Sequence, residues 1–171
     1  LWNAIGGDVA WMIQVFVMVM ITFIAGAVVR QILARLAKRA QKTRTRVDDV
    51  LFGSLLGPAR SLVWVIGLSF AAQIIWLHTE AAQTKKISFD AVGALRNVGI
   101  IATVTWFLLR FISNYEASYI DAKTSAGEKV DKTLINAVRN VLRAAVIVTA
   151  ALIALQTMGI NVNGLLAFGG V

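Results

Sequence analysis

A run of 21 residues without a single charge, Val9 to Val29, constrains this chain more than any other feature. As a helix it extends roughly 32 Å, enough to cross the hydrocarbon of a bilayer. It is too long for the apolar region of a secretory leader, and basic residues follow it where a small-residue cleavage site would stand. The rest of the chain is of the same kind: 58% of its 171 residues are hydrophobic, 15% are charged, and mean hydropathy is +0.73. A soluble domain of this length has too little interior for so much apolar surface. An all-α membrane protein is therefore expected, with a soluble helical bundle as the alternative. Because the first residue is Leu1 and not Met, a native start upstream of it is also expected.

Three more spans can be read. They are Ser61–Leu77, Val92–Ile112, and a helix from about Thr133 to Met158 whose apolar part starts at Ala144. Lys and Arg distribute unevenly between the two ends of these spans. Arg30, Arg35, Lys38, Arg39, Lys42, Arg44, Arg46 and Arg60 follow the first span; Arg110, Lys123, Lys129, Lys132, Arg139 and Arg143 surround the connection between the third and fourth. The opposite side holds Lys85, Lys86 and Arg96, fourteen against three. The positive-inside rule puts both basic connections in the cytoplasm. The N-terminus, the loop from His78 to Asp90 and the turn from Gly159 to Asn163 then lie outside. Trp11 and Trp76 fall near the outer interface, Trp64 and Tyr115 near the inner one, as membrane anchors do. Arg96 and Arg110 sit inside the third span, about 21 Å apart along a helix, so each can reach for its nearer surface.

Several functions are excluded by what is missing. There is no cysteine and only one histidine, His78, so disulfides, thiolate sites, His clusters and Ser-His triads have no residues to build them. No pair of titratable groups is placed for acid–base work, so no enzyme, cofactor or metal site is expected. The net charge of +8 would suggest nucleic acid in a soluble protein. Here the basic residues flank apolar runs, which makes membrane lipid the expected counterpart and nucleic acid not a partner. The eight basic residues from Arg30 to Arg60 either form a solvated face that sets topology or contact anionic lipid.

The chain also resembles itself at an offset of 83 residues. Val47 to Gln73 lies over Val130 to Gln156 without a gap, with Asp48/Asp131, Arg60/Arg143 and Gln73/Gln156 among the identities. This predicts two parallel-repeat hairpins, each second helix starting with an Asp where the helix dipole favours an anion. Pro58 has no counterpart in the second copy, so a break or kink is expected at Gly57–Pro58, leaving Val47–Leu56 as a separate interfacial helix. Domain bounds follow: a peripheral hairpin at 1–77, a second hairpin at 78–158, and an outer turn with the start of a fifth helix at 159–171.

In that last stretch, "GINVNGLLAFGGV", Gly159 is placed to cap the fourth helix and Asn161–Asn163 to turn the chain. Gly164, Ala167 and Gly170 then recur on one face, where small residues allow close helix approach in lipid. Either a pairwise helix contact or a ring of six or seven copies around a narrow channel fits that stripe.

Residues Glu128 to Val171, "EKVDKTLINAVRNVLRAAVIVTAALIALQTMGINVNGLLAFGGV", resemble the core of the MscS-type small-conductance mechanosensitive channels. Lys129, Val130, Asp131, Thr133, Arg143, Gly159, Ala167 and Gly170 fill the slots of the family pattern, and the extra hairpin before it resembles the YnaI-like branch. The resemblance covers about a quarter of the chain. It implies a homoheptamer in the bacterial inner membrane, opened by membrane tension to release ions and small solutes on hypo-osmotic shock. It further implies a pore helix starting at Gly164, Ala167 and Gly170, with Asp131 and Arg143 at the inner end of a tension-sensing helix. The family's pore constriction and cytoplasmic domain are expected beyond Val171. The rival readings are a secondary transporter or a membrane scaffold built from repeated hairpins. A transporter would gather polar groups near the midplane, and the candidates Gln14, Thr22, Gln73, Thr103, Thr105, Thr149 and Gln156 include no ionisable group.

Overall fold

A computed structural model describes residues 2–40, 46–78, 87–128 and 130–162, together with Gly164 and Ala167. These residues form four long helices and no strand: α1 (Trp2–Ala40), α2 (Arg46–His78), α3 (Ile87–Ser125) and α4 (Lys132–Thr157). All four are long and apolar enough to cross a membrane. Packing follows chain order, α1 on α2, α2 on α3 and α3 on α4. Trp11, in the first third of α1, stacks on His78 at the end of α2, and Thr22 lies against Gly67, so these neighbours run antiparallel. The contacts of Arg96 with Phe70 and of Asn114 with Ser54 give the same sense to α2 and α3.

Each helix outruns its apolar span. At 39 residues, α1 is about 58 Å long, close to twice the hydrocarbon thickness. It passes without a break from the charge-free run into the basic stretch, because Arg, Lys, Leu, Ala and Gln are all good helix formers. The same holds for α3, which was expected to end near Ile112 and continues to Ser125.

The expected break at Gly57–Pro58 is not found. Helix α2 is continuous through Pro58, which is fully buried. Proline removes one intrahelical donor, and the carbonyl left without it belongs to Ser54, four residues earlier. Ser54 is also fully buried, and its hydroxyl accepts a hydrogen bond from Asn114 Nδ2 of α3 at 2.8 Å. Packing against a neighbouring helix lets a membrane helix carry a proline that would break it in water. Val47–Leu56 is thus the first part of α2 and not a separate helix.

Close approach of the helices rests on glycine at two crossings. A Cβ at Gly67 would lie 2.0 Å from Thr22 Oγ1, and one at Gly99 would lie 2.7 Å from Val65 Cγ1. Bare backbone at these positions lets α1 meet α2 and α2 meet α3 at distances where packing contacts count in lipid. Large apolar side chains are mostly exposed, among them Phe16, Phe23, Leu95 and Val141, as expected where the solvent is acyl chain.

Candidate sensor helix and pore-lining segment

Both ends of α4 are set by local sequence chemistry. Asp131 is its N-cap, and the carboxylate accepts from the backbone N–H of Thr133 at 3.0 Å and of Leu134 at 3.2 Å. Two of the four orphan donors of the first turn are satisfied in this way, with the charge where the dipole favours it. The repeat-related Asp48 lies three positions further in, within the first turn of α2. At the other end, Gly159 has a φ of +83°. Its N–H donates to Gln156 O at 3.0 Å, and Ile160 N–H donates to Leu155 O at 3.0 Å. That pair of bonds is a Schellman cap, which needs the left-handed conformation glycine takes freely. Gly127, at φ +73°, closes α3 with the same pattern, Gly127 N–H to Thr124 O and Glu128 N–H to Lys123 O. Beyond Gly159, Val162, Gly164 and Ala167 are helical, and Gly164 and Ala167 are exposed. Gly170 lies outside the described residues.

The side of α4 facing α3 is joined by one ion pair. Arg139 Nη1 donates to Glu116 Oε2 at 3.1 Å. Glu116 is nearly covered, its side chain 11% exposed, while Arg139 Nε is buried without a hydrogen-bond partner among the described residues. Arg143, one turn further along, is half-buried. Between α3 and α4 run two apolar grooves of about 360 and 370 Å³. Tyr115, Leu134 and Val138 line the first; Val104, Ala145 and Ala150 line the second. Not one described residue of α4 is buried, so this helix contacts α3 yet leaves most of its surface uncovered.

Of the polar residues of the spans, Thr105 and Thr149 line the same α3–α4 groove, whose other walls are apolar, and Thr103 lines a separate one. Thr22, Ser69, Thr103, Thr105 and Thr157 each donate to the carbonyl four residues earlier in their own helix, at 2.6–2.8 Å. Each is thereby satisfied locally, as Ser and Thr are in membrane helices. Arg96 does not simply reach for the surface: its guanidinium stands 5.7 Å from the centre of the Phe70 ring on α2. Arg110 is exposed, with Nη1 3.0 Å from the position a Gly57 Cβ would take.

Of the eight basic residues proposed to contact lipid, Arg30 and Arg60 come together on one groove between α1 and α2. Arg35 and Lys38 are exposed on α1 outside it. The side chains of Arg39 and Arg46, and Lys42 and Arg44 altogether, lie outside the described residues. Sequence reading missed the Glu116–Arg139 pair and the Ser54–Asn114 bond. Glu116, the first carboxylate after the apolar part of α3, was the one available signal for the first.

The family model described as "Mechanosensitive ion channel, transmembrane helices 2/3" matches residues 140–171. The match begins within α4, passes through the Gly159 cap and covers the helical start at Gly164 and Ala167. No curated protein and no solved structure matches the chain. The chain is a multi-pass, all-helical membrane protein whose last 32 residues are similar to transmembrane helices 2/3 of mechanosensitive ion channels.

Proposed function

We propose that this chain forms the membrane part of a mechanosensitive ion channel, opened by bilayer tension to release ions and small solutes on hypo-osmotic shock. The observation that carries the reading is the match at 140–171, falling on a capped helix, a glycine turn and a small-residue helix start in that order. In this reading α4 is the sensor helix and α1–α3 form a lipid-facing paddle resembling that of the YnaI-like branch. Gly164, Ala167 and Gly170 begin the pore wall. Several copies, seven by resemblance, surround the axis in a bacterial inner membrane, with the basic helix ends in the cytoplasm. Asp131 faces the cytoplasmic side and Arg143 the inner interface.

The physics is that of a two-state bundle. If the open state occupies more membrane area, tension lowers its free energy in proportion to that area, which is the differential interaction a switch requires. The grooves between α3 and α4 give acyl chains a place to enter and leave as the area changes. A carrier reading finds less support, since Thr22, Thr103 and Thr105 are satisfied within their own helices, and the groove that Thr105 shares with Thr149 is otherwise apolar and lined by no ionisable group among the described residues.

The test is single-channel recording of the full-length protein in liposomes under suction. Stepwise currents that appear with tension support the reading. Silence up to membrane rupture overturns it.

A further inference from the structure

The groove between α1 and α2 has a chemistry unlike the others on this molecule. It has a volume of about 340 Å³, and its walls carry Arg30 and Gln31 from α1, Arg60 and Trp64 from α2, and the apolar Phe23 and Ala27. No acidic residue lines it among the described residues. Among the described residues, neither arginine has an ion-pair partner, and Gln31 and Trp64 have no hydrogen-bond partner. Two guanidinium groups, a carboxamide and an indole N–H thus share one opening, with no group among the described residues receiving their hydrogen bonds.

Its depth follows from helix register. Trp11 stacks on His78, Thr22 meets Gly67, and Gly26 meets Trp64, a ladder of contacts stepping along two antiparallel helices. The next turn brings Arg30 and Arg60 to one level. Measured from the Trp11–His78 layer, Arg30 lies 19 residues along α1 and Arg60 lies 18 residues back along α2, about 27–29 Å in both cases. That is close to one hydrocarbon thickness, so both guanidinium groups stand where phosphates of one leaflet stand. Phe23 and Ala27 lie on the bilayer side of them, where glycerol and acyl chains would follow.

The geometry points to a binding site for the headgroup of an acidic phospholipid, held between α1 and α2 by Arg30 and Arg60 in the leaflet at their basic ends. Arginine suits the role because its planar fork pairs with phosphate through two parallel hydrogen bonds. Arg35 and Lys38 then supply only general attraction to an anionic surface, while Arg30 and Arg60 select a single lipid. The inference rests on the membrane spans of the proposed function and not on a pore. Electrical silence would therefore leave it standing, and loss of lipid preference would leave the channel standing.

Native mass spectrometry of the purified full-length protein tests it, titrating phosphatidylglycerol and phosphatidylcholine separately. Expected is a preference for phosphatidylglycerol of about tenfold or more, the scale of two basic groups at an anionic headgroup. R30Q/R60Q should remove that preference, R30K/R60K should keep part of it, and R35Q/K38Q should keep most of it. The lysine variant separates lost charge from lost fold, since it preserves the former. Equal binding of the two lipids by the natural protein, or an undiminished preference in R30Q/R60Q, overturns the site. Displacement of phosphatidylglycerol by millimolar inorganic phosphate would overturn the lipid assignment in favour of a soluble anion.

Discussion

Glu116 accepts a hydrogen bond from Arg139 at 3.1 Å, and this ion pair joins α3 to α4 beside an apolar groove of about 360 Å³. Helix α4 is otherwise lightly held, with no buried residue among those described. A link of this kind fixes the register of α4 on α3 without burying α4, as the proposed function would require of a helix that moves.

Removing one partner should therefore cost more than removing both. Glu116→Ala leaves Arg139, whose Nε already lacks a partner, facing a nearly covered site, at a cost of about 1–3 kcal/mol. In Glu116→Ala/Arg139→Leu much of that stability should return. Thermal unfolding of the natural protein, Glu116→Ala, Arg139→Leu and the double variant in detergent gives the coupling energy, and strictly additive losses would show that the pair is idle.

The α1–α2 crossing should be sensitive to a single methyl group. Gly67→Ala puts a Cβ 2.0 Å from Thr22 Oγ1, so the helices must part at an overpacking cost of about 1–3 kcal/mol. Thr22→Ala in the same chain removes the two closest atoms and should restore part of the loss. Gly93→Ala meets nothing within 4 Å and should be neutral or mildly stabilising, as expected of alanine in an open helical position. Melting temperatures of the set check the order.

Asn114 and Ser54 make a third test. Ser54→Ala leaves the Asn114 amide without its acceptor in a water-poor setting and should destabilise by about 1–2 kcal/mol. Pairing it with Asn114→Leu should cost less than the single change, because no orphaned amide remains. Equal losses in the single and double variants would mean that Pro58 and Ser54 are held by shape alone.

At the turn that ends α4, Gly159→Ala forces a side chain into the left-handed region at φ +83° and should cost about 1–2 kcal/mol. Gly159→Asn, which tolerates that region, should cost less. If the turn couples sensor helix to pore, both variants should also shift the tension for half-maximal opening in that order, read in excised patches.

What could be read before the structure was local. Asp131 as a helix start, Gly159 as a helix stop and the spans themselves each depend on a few neighbouring residues, and α4 falls within a residue of its expected bounds. The continuation of α3 to Ser125 was missed because hydropathy drops after Ile112 while helix propensity does not. Pro58 misled for a related reason: its effect depends on a neighbouring helix that backs Ser54 from sixty residues away. The pairing of Glu116 with Arg139, and the selection of Arg30 and Arg60 from eight basic residues, are properties of helix register. A single sequence shows each residue there but not its opposite number.

The central claim is that the segment beginning at Gly164 and Ala167 lines a pore that tension opens. None of the 171 residues is cysteine, so a single introduced thiol on this part of the subunit reports unambiguously. The decisive measurement applies a charged, water-soluble thiol reagent during tension-evoked current to the full-length protein carrying Ala167→Cys or, on the exposed surface of α4, Val148→Cys, each without other cysteines. The account predicts rapid loss of current for Ala167→Cys and little change for Val148→Cys. Modification that blocks Val148→Cys and spares Ala167→Cys would contradict it.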